Sequence, residues 1–292
     1  MMADAVYCLT LLVCIIAGAR SQVSNQAASY DHAMQKRDSE AQTATWQQIG
    51  GGLKHVSVGR AGVWGVNSND FIYYRVGTYG NEAALGNSWT NVGGRLKQMD
   101  VGKDNVWGVN TNDAIYYRDG ISVASPAGTS WVRVSGGLKH VSVSQKGHVW
   151  GVNAGDNIYH RIGATSCSPL GSSWKQIPGG LKQISIGSGG VWGVNTNDNI
   201  YYRVGTFSDP DSDPDGSTWV QISGGLKYVS SADRIYGVNA NDAIYFRQGT
   251  SASNPTGSSW KNISGGLKQI ESLSLVVWGV NSSDNIFAKN SD

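Results

Sequence analysis

A chain of 292 residues with 15% charged side chains and a formal net charge of +2 holds too little charge and too many large apolar groups for a disordered polymer. It also lacks the basic excess of a nucleic-acid binder. Glycine is abundant at 39 and proline scarce at 6 without a Gly-X-Y period, which excludes collagen, while 11 Trp and 13 Tyr against 4 Phe favour half-wet grooves and module seams.

At the N-terminus, residues 5–17 are apolar except for Thr10 and carry Cys8 and Cys14. Ala17-Gly18-Ala19 follows as a small-residue cleavage signal, so residues 1–19 read as a secretory signal peptide, although residues 1–4 lack a basic group. The run is shorter than the ~20 apolar residues of a membrane helix, and no later run is long enough. The expectation is a secreted, extracellular chain with no membrane span. Cleavage leaves one cysteine, Cys167, so the fold must stand on its core and not on disulfides. Residues 20–45 are polar and rich in Gln, Ser and Ala. They read either as a flexible tail or as a propeptide cut after the dibasic pair Lys36-Arg37.

From residue 46 to 292 the chain repeats. Trp46, Trp89, Trp131, Trp174, Trp219 and Trp260 each open a similar unit, at spacings of 43, 42, 43, 45 and 41. Gly-Val-Asn recurs six times, from Gly65, Gly108, Gly151, Gly193, Gly237 and Gly279. Each unit holds four short runs: W-x-x-I/V, L-K-x-V-S-V-G, V-W-G-V-N and I-Y-Y-R. They alternate at period two, are rich in β-branched and aromatic residues, and leave no room for a ten-residue helix. Asn-x-x-Asp, as in Asn67 to Asp70, joins the third and fourth runs through a tight loop with Asx-turn chemistry. Four strands in ~42 residues match a blade of a β-propeller. The spacing therefore predicts an all-β, six-bladed propeller of four-stranded antiparallel blades.

The ends of the repeat region predict how the ring closes. The chain finishes on the I-Y-Y-R strand type at Asn285–Lys289 and begins with an unpartnered Trp strand at Trp46–Ile49. If L-K-x-V-S-V is the inner strand, the Trp strand is the outer strand of the preceding blade. The strand near Trp46 then completes the last blade and removes the open edges.

The ordered words W-x-x-I-x-G-G-L-K-x-V-S-V-G, V-W-G-V-N-x-N-D and I-Y-Y-R resemble the tectonin repeat across residues 46–292. The chain is similar to secreted lectins of that family, such as the fish-egg lectins and tachylectin-1. The resemblance implies a multivalent lectin or agglutinin for microbial surface glycans, such as lipopolysaccharide, N-acetylglucosamine or methylated sugars, in innate defence or egg protection. Two departures stand out. Tyr236 replaces the Trp of the fifth unit, and Ala288-Lys289 replace the Tyr-Arg ending of the sixth, so blades five and six would bind differently if these words line a site. The lone Cys167 also differs from the cysteine-rich fish-egg lectins.

Enzyme motifs are missing from the sequence: there is no Gly-x-Ser-x-Gly, no His-Glu-x-x-His and no P-loop. His32, His55, His140, His148 and His160 have no ligand-like spacing. Asp70, Asp113, Asp156, Asp198, Asp242 and Asp284 occupy one repeat position, which suits a turn better than an acid–base pair. The candidate carbohydrate-binding groups are Trp64, Asn67, Tyr73 and Arg75 in the first blade and Trp107, Asn110, Tyr116 and Arg118 in the second. In the third and fourth they are Trp150, Asn153, Tyr159 and Arg161, then Trp192, Asn195, Tyr201 and Arg203. In this reading an indole covers the C–H face of a pyranose while Asn, Tyr and Arg bond its hydroxyls or carboxylate. The same tryptophans also suit seam packing, with the arginines stacked on them.

Lys54, Lys97, Lys139, Lys182, Lys227 and Lys268 form either a solvated rim or a ring for lipopolysaccharide phosphates. Asp211, Asp213 and Asp215 before Gly216 match the front of a calcium loop, but Ile222 stands where the bidentate Glu belongs, so a solvated acidic loop is the competing reading. Asn262 and Asn281 open glycosylation sequons. Cys167 either stays a free thiol or pairs with its copy to form a homodimer. Against the lectin stands a non-catalytic protein-binding scaffold of a matrix or secretion, because a propeller fold does not fix function.

Overall fold

The computed structural model describes residues 45–290 except Leu275, so the segment read as a signal peptide and almost all of the tail with Lys36-Arg37 lie outside the described residues. Those described hold 24 strands and no helix. The strands form six four-stranded sheets, each paired antiparallel throughout. In the first blade His55–Gly59 is innermost, followed outward by Gly62–Val66, Phe71–Arg75 and Trp89–Arg95.

Why each word occupies its place follows from period two. In the third strand, Ile72 and Tyr74 turn toward the second blade and are buried, while Tyr73 and Arg75 turn toward the sixth. Both blade faces are covered, so the inner strands are buried along their whole length except at Tyr228, which opens the fifth. The core is accordingly six seam clusters, not one centre.

The hairpin between second and third strands is built as the sequence predicts. Asn67 Oδ1 accepts from the amides of Asn69 and Phe71, both at 3.0 Å. Asp70 sits in the left-handed region at φ 66°, and all six repeat aspartates share that conformation. Its carboxylate pairs with Lys54, and each of the six repeat lysines pairs with its own blade's aspartate in the same way. The lysine ring is thus a ring of ion pairs.

Ring closure also follows the sequence reading. Gln47–Gly52 pairs antiparallel with Asn285–Asn290 as the outer strand of the sixth blade, with Gln47 opposite Ala288 and Ile49 opposite Ile286. A bulge between Ile49 and Gly52 recurs in every outer strand, and it explains the repeated Gly-Gly.

At the axis the six residues after the repeat lysine alternate. Gln98, Gln183 and Gln269 each turn sideways and clasp the neighbouring inner strand, as when Gln98 donates to Val141 O at 2.8 Å and accepts from Val141 N at 3.0 Å. The three intervening residues, His55, His140 and Tyr228, fill the centre as a triangle of rings with centroids 5.8–6.5 Å apart. One layer along, Ser57, Asp100, Ser142, Ser185, Ser230 and Glu271 interlock. Asp100 accepts from the hydroxyls of Ser57 and Ser142 and from Val143 N.

Candidate functional site

The Gly-Gly bulge brings one blade against the next. Gly94 adopts φ 103°, and a Cβ there would lie 3.1 Å from Cδ1 and Nε1 of Trp131 in the following blade. The Trp131 Nε1–H donates to the carbonyl of Gly93 at 2.7 Å. The same staple joins Trp89 to Gly50, Trp174 to Ser135, Trp219 to Pro178, Trp260 to Ser223 and Trp46 to Ser264. Each of these outer-strand indoles remains half-exposed.

Beside the staples of Trp131, Trp219 and Trp46 the blades diverge and leave a pocket. Between blades one and two it measures about 290 Å³ and is lined by Ile72, Gly94, Arg95, Leu96, Asn110, Tyr116 and Trp131. Between blades three and four the equivalent pocket measures about 210 Å³ over Ile158, Gly179, Gly180, Leu181, Tyr201 and Trp219. Between blades five and six, where Phe287 takes the tyrosine position beside Trp46, it shrinks to about 80 Å³. Each full-sized pocket offers an indole and a phenol over a floor of aliphatic side chains and glycine backbone. That combination suits a ligand with one apolar face and a hydroxylated rim.

The candidate set does not come together blade by blade. Trp64, Trp107, Trp150 and Trp192 are fully buried, so no ligand reaches their faces. Trp64 lies opposite Tyr74 and faces the next blade, whereas Tyr73 and Arg75 face the previous one. Alternation along the strand separates them. Asn67, Asn110, Asn153 and Asn195 each commit Oδ1 to the hairpin turn, and Asn110 still lines a pocket. The tyrosines Tyr73, Tyr116, Tyr159 and Tyr201 all stand half-exposed at the seams beside the outer-strand tryptophans.

The repeat arginines line none of these pockets. Arg75, Arg118, Arg161 and Arg203 are buried, with burial lowering each guanidinium pKa. Each lies over its own blade's outer tryptophan at 5.2–5.3 Å from the ring centroid. Each Nε–H donates to the loop between third and fourth strands, as from Arg75 to Leu85 O at 2.8 Å. The arginine therefore holds the indole that walls the pocket.

The sequence reading passed over two features of the pockets. The outer tryptophans served there only to mark the repeat, although their sixfold pairing with Gly-Gly was the available signal. Arg95, standing where the other blades have the glycine that resumes the ladder after the bulge, is exposed and stacks on Phe71 at 4.3 Å. It gives the pocket between blades one and two a cation.

The acidic loop after residue 208 is not a calcium loop. Asp209 pairs with His148 Nδ1 at 2.7 Å, and Asp215 pairs with His160 Nδ1 at 2.6 Å and with Lys175. Asp211 Oδ1 lies 3.4 Å from His148 Nε2, so Asp211 and Asp215 are drawn to different histidines of blade three. Among the described residues no cluster of three or more His, Cys, Asp or Glu side chains is placed to hold a metal. Asn262 is exposed on an outer strand, and Asn281 occupies a hairpin turn. Cys167 is exposed between the third and fourth strands of blade three. No described helix is long and apolar enough to cross a membrane.

Comparison with known proteins agrees with this architecture. Three solved structures share the fold at low identity. Human WBSCR16 aligns at TM-score 0.51 and 9% identity, covering 83% of this chain and 78% of that one. Prp20p from Saccharomyces cerevisiae aligns at 0.52 and 7%, covering 80% and 70%. The Cps50 (Swd1) propeller domain of Myceliophteria thermophila aligns at 0.51 and 8%, covering 82% and 83%. No curated protein matches the chain. The Tectonin domain model matches residues 11–136 and 83–274, which together span most of the sequence. With the four words of its six repeats each accounted for by a strand, a turn or a staple, the chain belongs to the Tectonin family.

Proposed function

We propose that this protein is a secreted, multivalent lectin whose sugar sites lie in the seams between blades, not within them. The observation that carries the reading is the pocket of about 290 Å³ between blades one and two, with Trp131, Tyr116 and Arg95 around an apolar floor. A pyranose presents its C–H face to such a floor and its hydroxyls to the rim, and Arg95 favours a ligand with a carboxylate or phosphate. Microbial surface glycans such as lipopolysaccharide carry both features. Repetition around the ring turns weak single sites into avidity for a cell surface. The apolar segment at 5–17 and the small residues after it support secretion. A second ring joined through the exposed Cys167 would allow cross-linking of cells.

The test is a glycan array with the wild type, Arg95→Ala and Tyr116→Phe. Saturable binding that sugars compete, weakened for acidic glycans in Arg95→Ala, supports the reading. Silence on every glycan by a folded protein overturns it and leaves the protein-binding scaffold. Non-reducing electrophoresis of Cys167→Ser against the wild type decides the dimer.

A further inference from the structure

The six seams repeat one another in their outer tryptophan and bulge glycine, so a charge found at one of them alone stands out. Two arginines do so, and both belong to the seam between blades one and two. Arg95 holds the position at which the ladder resumes after the bulge, where the other outer strands have Gly52, Gly137, Gly180, Gly225 and Gly266. Arg133 holds the position opposite the pocket tyrosine Tyr116, where the other outer strands have Gln48, Asn91, Gln176, Gln221 and Asn262. Each of the two blades that make this seam supplies one of the arginines.

Arg95 lines the pocket of about 290 Å³. Its ladder partner, Phe71, is a departure too, because the other blades place Ala or Asn there. The Phe71 ring lies 4.3 Å beneath the guanidinium, and Arg95 Nη1 donates to Asn69 O at 3.1 Å. Cation and plate are fitted to each other, which holds the fork in place. Arg133 stands two residues from Trp131 on one strand and beside Tyr116 on the next, so it shares their face of the sheet. On that face Trp131 and Tyr116 pack toward blade one, and Arg133 is exposed, which sets it at the rim. Among the described residues neither arginine has a carboxylate partner. The aspartates of the two adjoining hairpins are already paired, Asp70 with Lys54 and Asp113 with Lys97. Two positive charges at this seam are therefore left uncompensated.

We propose that the seam between blades one and two is specialised for a sugar bearing a phosphate or carboxylate, with Arg95 and Arg133 meeting that group from opposite walls. This specialisation rests on the seams being sugar sites and divides them into two classes. Trp131 and Tyr116 take the sugar ring, and the guanidinium forks donate paired N–H groups to the oxygens of the anion. The other five seams offer a neutral amide and a glycine at the same two places and suit uncharged sugars. Each chain then carries one acidic-sugar site beside its neutral ones.

Isothermal titration of the full-length protein with N-acetylglucosamine, its 6-phosphate, glucuronic acid and inorganic phosphate tests the assignment. The expected result is one site per chain for an acidic sugar, about tenfold or more tighter than for N-acetylglucosamine, and weakened by added salt. The tighter of the two acidic sugars identifies the anion. Arg133→Gln and Arg95→Gly, each the residue of another blade, should each remove about tenfold of that preference and leave N-acetylglucosamine binding unchanged. Circular dichroism checks that both variants fold. An acidic preference unchanged in both folded variants overturns the assignment, and so does inorganic phosphate binding as tightly as the phosphorylated sugar. Acidic sugars that bind no better than N-acetylglucosamine, or not at all, overturn it as well. Binding of N-acetylglucosamine in the same samples then shows whether the seam reading survives.

Discussion

The indole of Trp46 donates to the carbonyl of Ser264 at 2.8 Å across 218 residues of sequence. It is the last of six equivalent staples, and it lies between the fifth blade and the strand that completes the sixth. Besides the Gln269 clasp on Val56, the ring is therefore closed by the ladder of residues 47–52 against 285–290 and by this single N–H.

Removing residues 45–50 should open the ring. The third strand of the sixth blade would lose its partner and expose an edge, which favours aggregation. Trp46→Ala keeps the ladder and loses only the staple and its packing, with a stability loss up to the ~3–5 kcal/mol of a truncated core Trp. Size-exclusion chromatography and urea denaturation separate the outcomes. A deletion that stays monomeric with an unchanged midpoint contradicts this account of closure.

The two bulge glycines should differ sharply. Gly94 has φ 103° and the Trp131 ring against it, whereas nothing lies within 4 Å of a Cβ on Gly93. Gly94→Ala is expected to cost ~1–3 kcal/mol and to weaken ligand binding at that seam. Gly93→Ala should stay within ~0.5 kcal/mol of wild type. Equal effects in denaturant titrations would remove the link between bulge and pocket.

Arg118→Ala should act through Trp131. The variant loses the stacked cation and the Nε–H bond to Ala127 O, together worth ~1–2 kcal/mol of stability. Tryptophan fluorescence should report a more mobile indole, and agglutination should weaken at unchanged sugar preference. Because Arg118 does not line the pocket beside Trp131, a changed preference would place it in the proposed site itself.

Acid should destabilise the axis. His55 is held neutral with a pKa lowered to about 3, against 6.5 when unfolded, so the unfolded chain binds the extra proton between those values. Stability from this residue is complete above pH 6.5 and falls by about 1.4 kcal/mol per pH unit as pH drops toward 3. His140 acts in the same direction. Asp100 and Glu271, whose pKa values burial raises, act oppositely and gain stability as pH falls through their folded values. Lys54, Lys97, Lys139 and Lys268 add positive potential at the rings. His55→Phe should flatten the acid limb of the thermal midpoint between pH 6.5 and 4. An unflattened limb in a folded variant assigns it to other groups.

Six blades, four strands each and closure by the Trp46 strand were all legible, because they depend on spacing and on period-two burial. The turn role of Asn67 and Asp70 was legible for the same reason, as it is local. The site was only half legible. Trp64 and Tyr73 lie nine residues apart on adjacent strands, yet face opposite seams because Trp64 pairs with Tyr74 and not with Tyr73. That one-residue register decides the face, and composition does not carry it. Trp131 and Gly94 meet only once the ring is assembled, so their partnership belongs to blade packing. The aspartates after residue 208 read as a solvated acidic loop with the front half of a calcium pattern, because His148 and His160, which hold Asp209 and Asp215, lie 50 residues upstream and more.

The alternation of glutamine and ring at the axis imposes parity on the architecture. Each glutamine clasps one neighbour, so the blades associate as three couples: two with three, four with five, six with one. A ring with an odd number of such blades must set two glutamines or two aromatic residues side by side, crowding the centre or leaving a strand unclasped. Growth or loss within this lineage should therefore proceed by doublets of about 85 residues, the sum of two consecutive spacings. A minimal fragment built from blades two and three, with both halves of the Gln98 clasp, is the natural unit for recombination into larger rings.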